Sequence, residues 1–333
     1  SNSYAKFILE LCFVAQYIRR SMLFKKDPLV SIIVNCFNGE RFLKEALDSI
    51  LSQTYANWEV IFWDNQSSDK SAEIFNDYDD DRFKYFYAPT HTDIFEARNY
   101  AVSKSSGEHI AFLDVDDLWF PNKLARQIPL FQDPEVGFVS CKSWALNESS
   151  NIRHKMHKND LPVGWVLSHL VKNYFLVFSS LVIRKSAFHS MREGFDPTLN
   201  ILGDMDFMIR LATNWKLDGP QDELAVYRLH EDNMGQNQRE NYTTEYNKVL
   251  EKFRKNKFIN ILPELDNLEN GLIYTETQQH IIKKDIKMVL MNINRLPWGK
   301  LKIKLIILLV VPHALLGWLR RKAGYYFSPA LKR

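Results

Sequence analysis

The chain has 333 residues, of which 46% are apolar and 25% charged; that supports one large α/β domain with an extension, or two domains, and excludes a globally disordered protein. Its three cysteines, Cys12, Cys36 and Cys141, are odd in number and show no metal-ligand spacing, so a reducing cytoplasm fits better than a secreted fold stapled by disulfides. The net charge of +3 hides an asymmetry: residues 286–333 hold ten Lys or Arg and no Asp or Glu, while the rest of the chain is acidic, which suits the tail to an anionic surface.

Residues 7–18 are apolar, yet Glu10 interrupts them and Arg19 and Arg20 follow rather than precede them. This reads as an N-terminal amphipathic helix within residues 1–28, not as a secretory signal. Val30–Cys36 (VSIIVNC) is a short β-branched run of buried-strand type. Asn38-Gly39 then marks a turn, and Phe42, Leu43, Ala46, Leu47, Ile50 and Leu51 recur at helical spacing. Residues 58–63 (WEVIFW) predict a second strand ending at Asp64, after which Ser67, Ser68 and Asp69 predict the cap of a helix reaching Tyr78. Phe83–Tyr87 predicts a third strand, residues 95–103 a helix, and residues 109–113 (HIAFL) a fourth strand ending at Asp114.

Strand and helix thus alternate four times, the pattern of a mostly parallel sheet covered by helices on both faces. Ligands of such sheets bind beyond the carboxyl ends of the strands. Residues 35–38, Asp64 and residues 114–117 all fall there. Further on, residues 136–142 and 179–184 predict strands, and residues 143–161 read as a polar loop. Asp204 is expected just before a helix reaching about Asn214, and residues 225–228 form another short strand. From about Asn241 the chain reads as helices only, which suggests a catalytic domain over residues 29–240 and a helical extension over residues 241–333.

The strongest chemical signal is Phe112-Leu113-Asp114-Val115-Asp116-Asp117. Three carboxylates within four positions, directly after an apolar strand, suit a hard divalent cation such as Mg²⁺ or Mn²⁺ that also takes substrate phosphates. Such a cation can offset charge building on a leaving diphosphate. These motifs, in this order, resemble glycosyltransferase family 2 with the GT-A fold. The carrying residues are VSIIVNCFN at 30–38, SILSQ at 49–53, WEVIFWDNQSSD at 58–69 and ARN at 97–99. SGEHIAFLDVDDLW at 106–119, GDMDFMIRL at 203–211 and YRLHEDN at 227–233 continue the match, which spans about residues 29–235.

The resemblance implies an inverting transfer from a nucleotide-sugar donor, a UDP-sugar by preference, onto a saccharide hydroxyl. Asp64 would meet the nucleobase, Asp114 the ribose and Asp116 the divalent metal, with Arg98 near the nucleotide. Asn35, Phe37, Asn38 and Val115 would complete the donor site, and His230 would reach the metal or the diphosphate. Asp204 matches the general base, which takes the acceptor proton as the new bond forms, so no covalent intermediate is required. Tyr174, Phe175 and Phe178 suit core packing better than an acceptor wall, and Trp119 suits either. The chain departs from the usual pattern at Cys36 and Phe37, at Asn65 in place of a second Asp, and at Gly203 in place of Glu. A sugar-nucleotide nucleotidyltransferase would carry a glycine-rich loop where only Gly39 stands, and a non-catalytic scaffold would have no need of Asp116 and Asp204.

Residues 305–319 are uncharged, about 22 Å of helix, short of the ~30 Å hydrocarbon core, and Pro312 and His313 interrupt them. Lys300, Lys302, Lys304, Arg320, Arg321 and Lys322 bracket the run, and Trp298, Trp318, Tyr325, Tyr326 and Phe327 favour a membrane interface. The tail therefore predicts a monotopic anchor on anionic lipids at the cytoplasmic face of the plasma membrane, serving a lipid-linked acceptor of a bacterial surface glycan. A buried helix is the alternative. Nucleic acid is not an expected partner, because the tail is apolar as well as basic.

Overall fold

The computed structural model describes residues 27–233 and 239–310. The amphipathic helix expected near the N-terminus, and the apolar tail beyond residue 310, lie outside the described residues. The chain forms two compact units that follow packing rather than chain order. The first takes residues up to 165 with 176–197 and 215–230; the second takes residues 166–175, 198–214 and the chain from 231 onward.

In the first unit, β1 (Val30–Cys36), β2 (Trp58–Asp64) and β3 (Phe83–Tyr87) are each followed by a helix, Glu40–Leu51, Ser71–Asn76 and Ile94–Ser103, before β4 (His109–Phe112). Then come β5 (Leu118–Trp119), β6 (Val136–Val139), β7 (Lys142–Asn147), β8 (Ile152–Lys155), β9 (Val182–Arg184), β10 (Lys216–Asp218) and β11 (Glu223–Leu229). Seven strands form one sheet in the order β10-β6-β9-β4-β1-β2-β3. β4, β1, β2 and β3 are parallel, as are β6 and β10, whereas β9 runs antiparallel to both its neighbours. The expected mostly parallel α/β sheet is present.

Side chains alternate between the faces of a strand. Val30, Ile32 and Val34 therefore pack with Val60 and Phe62 against Leu43, Leu47 and Ile50 of the first helix. The other face carries Trp63, whose ring stacks on Tyr100 of the helix Ile94–Ser103 at 5.6 Å. Helices cover both faces of the sheet.

A second sheet has the order β5-β11-β7-β8. It corrects the reading of residues 143–161 as a loop: β7 and β8 form an antiparallel hairpin, Trp144 opposite Lys155 and Asn147 opposite Ile152. The sequence concealed it because β8 is exposed along its whole length, so no apolar alternation marks it, and only its pairing with β7 makes it a strand. The cap expected at Ser67–Asp69 is shared between two helices. The helix there is Ser71–Asn76, and Asp69 Oδ1 accepts from the Ser71 N–H at 3.0 Å, while Ser67 Oγ and Asp69 Oδ2 accept from N–H groups at the start of the neighbouring helix.

The second unit is helical, as expected for the C-terminal third: Leu167–Lys172, Gly203–Leu211, Arg239–Lys255, Leu265–Ile282, Ile286–Arg295 and Lys300–Val310. Asp285 caps Ile286–Arg295 by accepting from the Met288 N–H at 3.2 Å.

Polar groups also tie the sheet at the end away from the strand carboxyl termini. Glu59, 3% exposed, accepts from Ser31 Oγ at 2.5 Å, the Ser106 N–H at 2.7 Å and Lys84 Nζ at 2.6 Å. Burial alone raises a carboxyl pKa, but Lys84, Ser31 and Ser106 outweigh it and hold Glu59 below its ordinary value of 4.5. A depressed folded-state pKa contributes stability above the unfolded value and loses it as pH falls through the folded value. Glu59→Gln should therefore lower stability by about 1–3 kcal/mol at pH 7. In urea titrations the gap to the wild type should narrow as pH drops below 4.5; a gap independent of pH would refute an ionised Glu59.

Candidate active site

Register aligns the strand ends. β1 and β2 pair with Cys36 beside Asp64, and β1 and β4 pair with Ile33 beside Phe112. The segments that follow, residues 37–40, 65–71 and 113–117, therefore emerge at one edge of the sheet.

The first two segments lock each other. Asn38 adopts φ +54°, a left-handed conformation that Asn tolerates better than most residues. Its Oδ1 accepts from the Ser68 N–H at 2.8 Å, and its own N–H donates to Ser67 Oγ at 3.0 Å. The Gly39 and Glu40 N–H groups donate to Ser71 Oγ at 3.0 Å and Asp69 Oδ2 at 2.8 Å. Open N–H groups at the start of the helix Glu40–Leu51 are thus satisfied from the neighbouring loop. A Cβ on Gly39 would stand 3.0 Å from both Cys36 Sγ and Val115 Cγ2, which places Val115 against this turn. Asp64 is buried, accepting from the Ser67 N–H at 2.7 Å and Tyr85 Oη at 2.6 Å. Phe37 is exposed and its ring lies 4.4 Å from that of His91, whose Nδ1–H donates to the Asn65 carbonyl at 2.8 Å. Asn35, next to last in β1, has its Nδ2 buried and without a hydrogen-bond partner among the described residues.

The three clustered carboxylates do three different things. Asp114 pairs with Arg98 at 2.5 Å, and the guanidinium lies 3.9 Å from the Phe178 ring and 4.9 Å from the Phe95 ring. Asp117, 1% exposed, accepts from Ser179 Oγ at 2.5 Å and the Arg228 N–H at 2.9 Å. Burial, then the charges of Asp116 and Asp114, push the Asp117 carboxyl well above the usual range. Asp116 faces His230, with Nε2 2.9 Å from Oδ2. The sequence reading expected Asp114 at the ribose and Asp116 at the metal; in the structure Asp116 is the acid beside His230.

Arg228 is the residue that the sequence reading left as a mere strand end. It donates to the Asp116 carbonyl at 2.9 Å, to Glu148 at 2.8 Å and to Glu45 at 2.6 Å, and its guanidinium lies 4.6 Å from the Phe42 ring. Arg228 and His230 stand two apart in YRLH, the spacing that puts strand side chains on one face, and that was the available signal. His91 and Ser179 were missed as well, and no local pattern marks either. Trp119 is core: its Nε1–H donates to the Ser179 carbonyl at 2.6 Å. Phe178 packs on Arg98, as the core reading had it.

Asp204 belongs to the second unit, with Tyr174. It is the second residue of the helix Gly203–Leu211, inside the first turn rather than before it. Tyr174 Oη donates to Asp204 Oδ2 at 3.2 Å. The backbone entering this helix is held by Glu245, which accepts from the N–H groups of Asn200, Ile201 and Leu202 at 2.8, 2.8 and 3.0 Å. Asp206 is fully buried and clamped by Arg210 at 2.8 Å and Lys252 at 2.8 Å. Of the two carboxylates, only Asp204 is partly accessible.

The glycosyl transferase family 2 model matches residues 31–195. The chain belongs to glycosyltransferase family 2. This glycosyltransferase is 29% identical over 248 residues to an uncharacterized glycosyltransferase of Rickettsia typhi, covering 71% of this chain and 76% of that one. It is 37% identical over 124 residues to the UDP-Glc:alpha-D-GlcNAc-diphosphoundecaprenol beta-1,3-glucosyltransferase WfgD of Escherichia coli, covering 37% of this chain and about half, 49%, of the relative. Among solved structures, the mannosyltransferase PcManGT of Pyrobaculum calidifontis, in complex with GDP-Man and Mn²⁺, superposes with a TM-score of 0.58 at 16% identity. That match covers 95% of this chain and 88% of the other, and it shows the shared fold.

The residues fit a divalent cation. Asp116 and His230 converge, an oxygen and a nitrogen donor, and no group of three or more His, Cys, Asp or Glu among the described residues forms a metal cage alone. Two protein ligands completed by substrate phosphate suit Mn²⁺ or Mg²⁺. The crowding of Asp114, Asp116 and Asp117 is a field that a cation would relieve.

Asp117 gives a direct test of this division of labour. Asp117→Asn keeps an acceptor for the Arg228 N–H and removes a carboxyl already pushed toward neutrality, so it should cost under about 1 kcal/mol. Asp117→Ala strands two buried donors and should cost about 1–3 kcal/mol. Chemical denaturation separates the two, and an equal loss for both would refute Asp117 as a mainly structural acceptor.

Proposed function

We propose that this enzyme transfers a sugar, with inversion, from a UDP-sugar to a hydroxyl of a lipid-linked saccharide, at the cytoplasmic face of the membrane. The observation that carries the reading is the convergence of Asp116 and His230 at 2.9 Å beside the Arg98–Asp114 pair, on the edge where the strands end. Asp116 and His230 would hold Mn²⁺ or Mg²⁺, which offsets charge on the departing diphosphate. Asp64 is proposed for the base N–H, since each carboxylate oxygen can accept more than one hydrogen bond. Phe37, with His91 behind it, offers a ring face to the base. Asn35 offers an unengaged amide donor, Asn38 and Val115 shape the turn beneath the donor, and Asp114 is proposed for the ribose.

Asp204 is proposed as general base. Its support is the match of GDMDFMIRL to the family motif, together with the clamping of Asp206, which leaves Asp204 as the carboxylate able to take a proton. The UDP donor and the lipid-linked acceptor are supported by the name of the Escherichia coli relative. The basic, apolar tail supports the membrane location, and no described helix is long and apolar enough to cross a membrane. A nucleotidyltransferase is disfavoured, since Gly39 is packed against Cys36 and Val115 rather than set in a glycine-rich phosphate loop.

Chelation, or Asp116→Ala, should abolish transfer and weaken binding of the nucleoside diphosphate, read by product formation and calorimetry. Full turnover in excess chelator would remove the metal from the mechanism. Asp204→Asn should keep the fold and donor affinity while the rate falls roughly 10²–10⁴-fold, the usual worth of general acid–base catalysis. Near wild-type turnover of that variant would assign the base elsewhere.

A further inference from the structure

The last two described helices are apolar on two sides. Ile286–Arg295 and Lys300–Val310 join Leu265–Ile282 through a buried cluster that includes Val289, Ile293, Leu305 and Leu308. On the final helix, Ile303 and Ile307 lie one turn apart on the side away from Leu305 and Leu308, and both are exposed. On the preceding helix Ile286 and Leu290 are spaced the same way and are 56% and 54% exposed. Trp298, in the turn between the helices, is 79% exposed. Single exposed apolar residues are ordinary, but so many on one short helical pair mark a binding surface. Lys287, Lys300 and Lys304 are exposed among them, and no Asp or Glu occurs from residue 286 to the end.

We propose that this helical pair is a docking face for an anionic lipid surface, with Trp298, Ile303 and Ile307 entering the boundary between headgroups and acyl chains and Lys287, Lys300 and Lys304 meeting lipid phosphates. The proposal rests on the membrane-acceptor reading and deepens it by assigning contact residues ahead of the apolar tail. Charge selects the occupant. A second copy would bring two wholly basic faces together, and residues 311–333 are themselves basic without a single acid, so either would add repulsion that anionic lipid removes. Apolar side chains flanked by lysines are the composition of interfacial helices. Nucleic acid would use the lysines and leave Trp298 and Ile303 unburied.

The test uses the full chain and vesicles of phosphatidylglycerol or of phosphatidylcholine alone. The wild type should co-sediment with the anionic vesicles and much less with the zwitterionic ones. Combined W298S, I303S and I307S should weaken that binding at least roughly 100-fold. Combined K287Q, K300Q and K304Q should weaken it by a similar factor, at about fivefold per charge, and 0.5 M salt should mimic that loss. Both variants should keep the wild-type thermal midpoint and UDP binding. Unchanged vesicle binding by both variants, or no binding by the wild type, overturns the docking face. A wild-type dimer that either variant turns into monomer in sedimentation velocity also overturns it, in favour of self-association. Transfer to a water-soluble acceptor is measured in parallel, so loss of the glycosyltransferase reading stays distinct from loss of the docking face.

Discussion

The carboxyl of Asp117 is the contact on which the candidate site depends. It is buried, and it accepts from Ser179 Oγ and from the Arg228 backbone. Those two groups lie 62 and 111 residues away in sequence, so one acceptor fixes the loop after β4 against the segment entering β9 and against β11. Ser179 is fixed further by the Trp119 indole, which donates to its carbonyl. Beside the anchored Asp117, Asp116 meets His230, which directly follows β11, at 2.9 Å. The desolvation of the Asp117 carboxyl is offset in part by its two hydrogen bonds, which act against the upward push of burial.

Around this anchor the charges are sorted by the aromatic and cationic groups that surround them. Arg98 pairs with Asp114 while its guanidinium packs against the rings of Phe178 and Phe95, a use of its planar shape that lysine could not reproduce. Arg228 balances Glu45 and Glu148 and lies against Phe42. Two of the three acids after β4 are thereby absorbed into structure. The remaining carboxylate, Asp116, has the imidazole of His230 as a neighbour rather than a fixed cation.

The second unit repeats the sorting with another pair of acids. Asp206 is consumed by Arg210 and Lys252, while Asp204, two residues earlier, meets Tyr174. Its helix starts from a backbone pinned by Glu245, so the position of Asp204 is set by hydrogen bonds well outside its own motif. The same unit ends in the helical pair with the apolar, basic outer side. Folding stability accounts for its inner stripe at Leu305 and Leu308, while Ile303 and Ile307 on the outer side are exposed.

The sequence by itself determined the strand–helix alternation, the helices on both faces, the family, and the edge at which Asp64 and Asp114 to Asp117 emerge. The family follows from the resemblance of its motifs, and the rest from periodicities of two and 3.6 and from short apolar runs, which are local signals. The hairpin of β7 and β8 escaped notice because an exposed edge strand carries no such signal. The reversed direction of β9 escaped because pairing direction is a property of two strands, not of one. The family resemblance gave Asp114 and Asp116 their expected roles; only the tertiary structure decided which partner each acid meets. Asp114, Asp116 and Asp117 are chemically equivalent in sequence and differ solely in what the fold brings to each: Arg98 to the first, His230 to the second, Ser179 and the Arg228 backbone to the third. A carboxylate's role is set by its burial and its partners, and partners separated by tens of residues become neighbours only once the chain has folded.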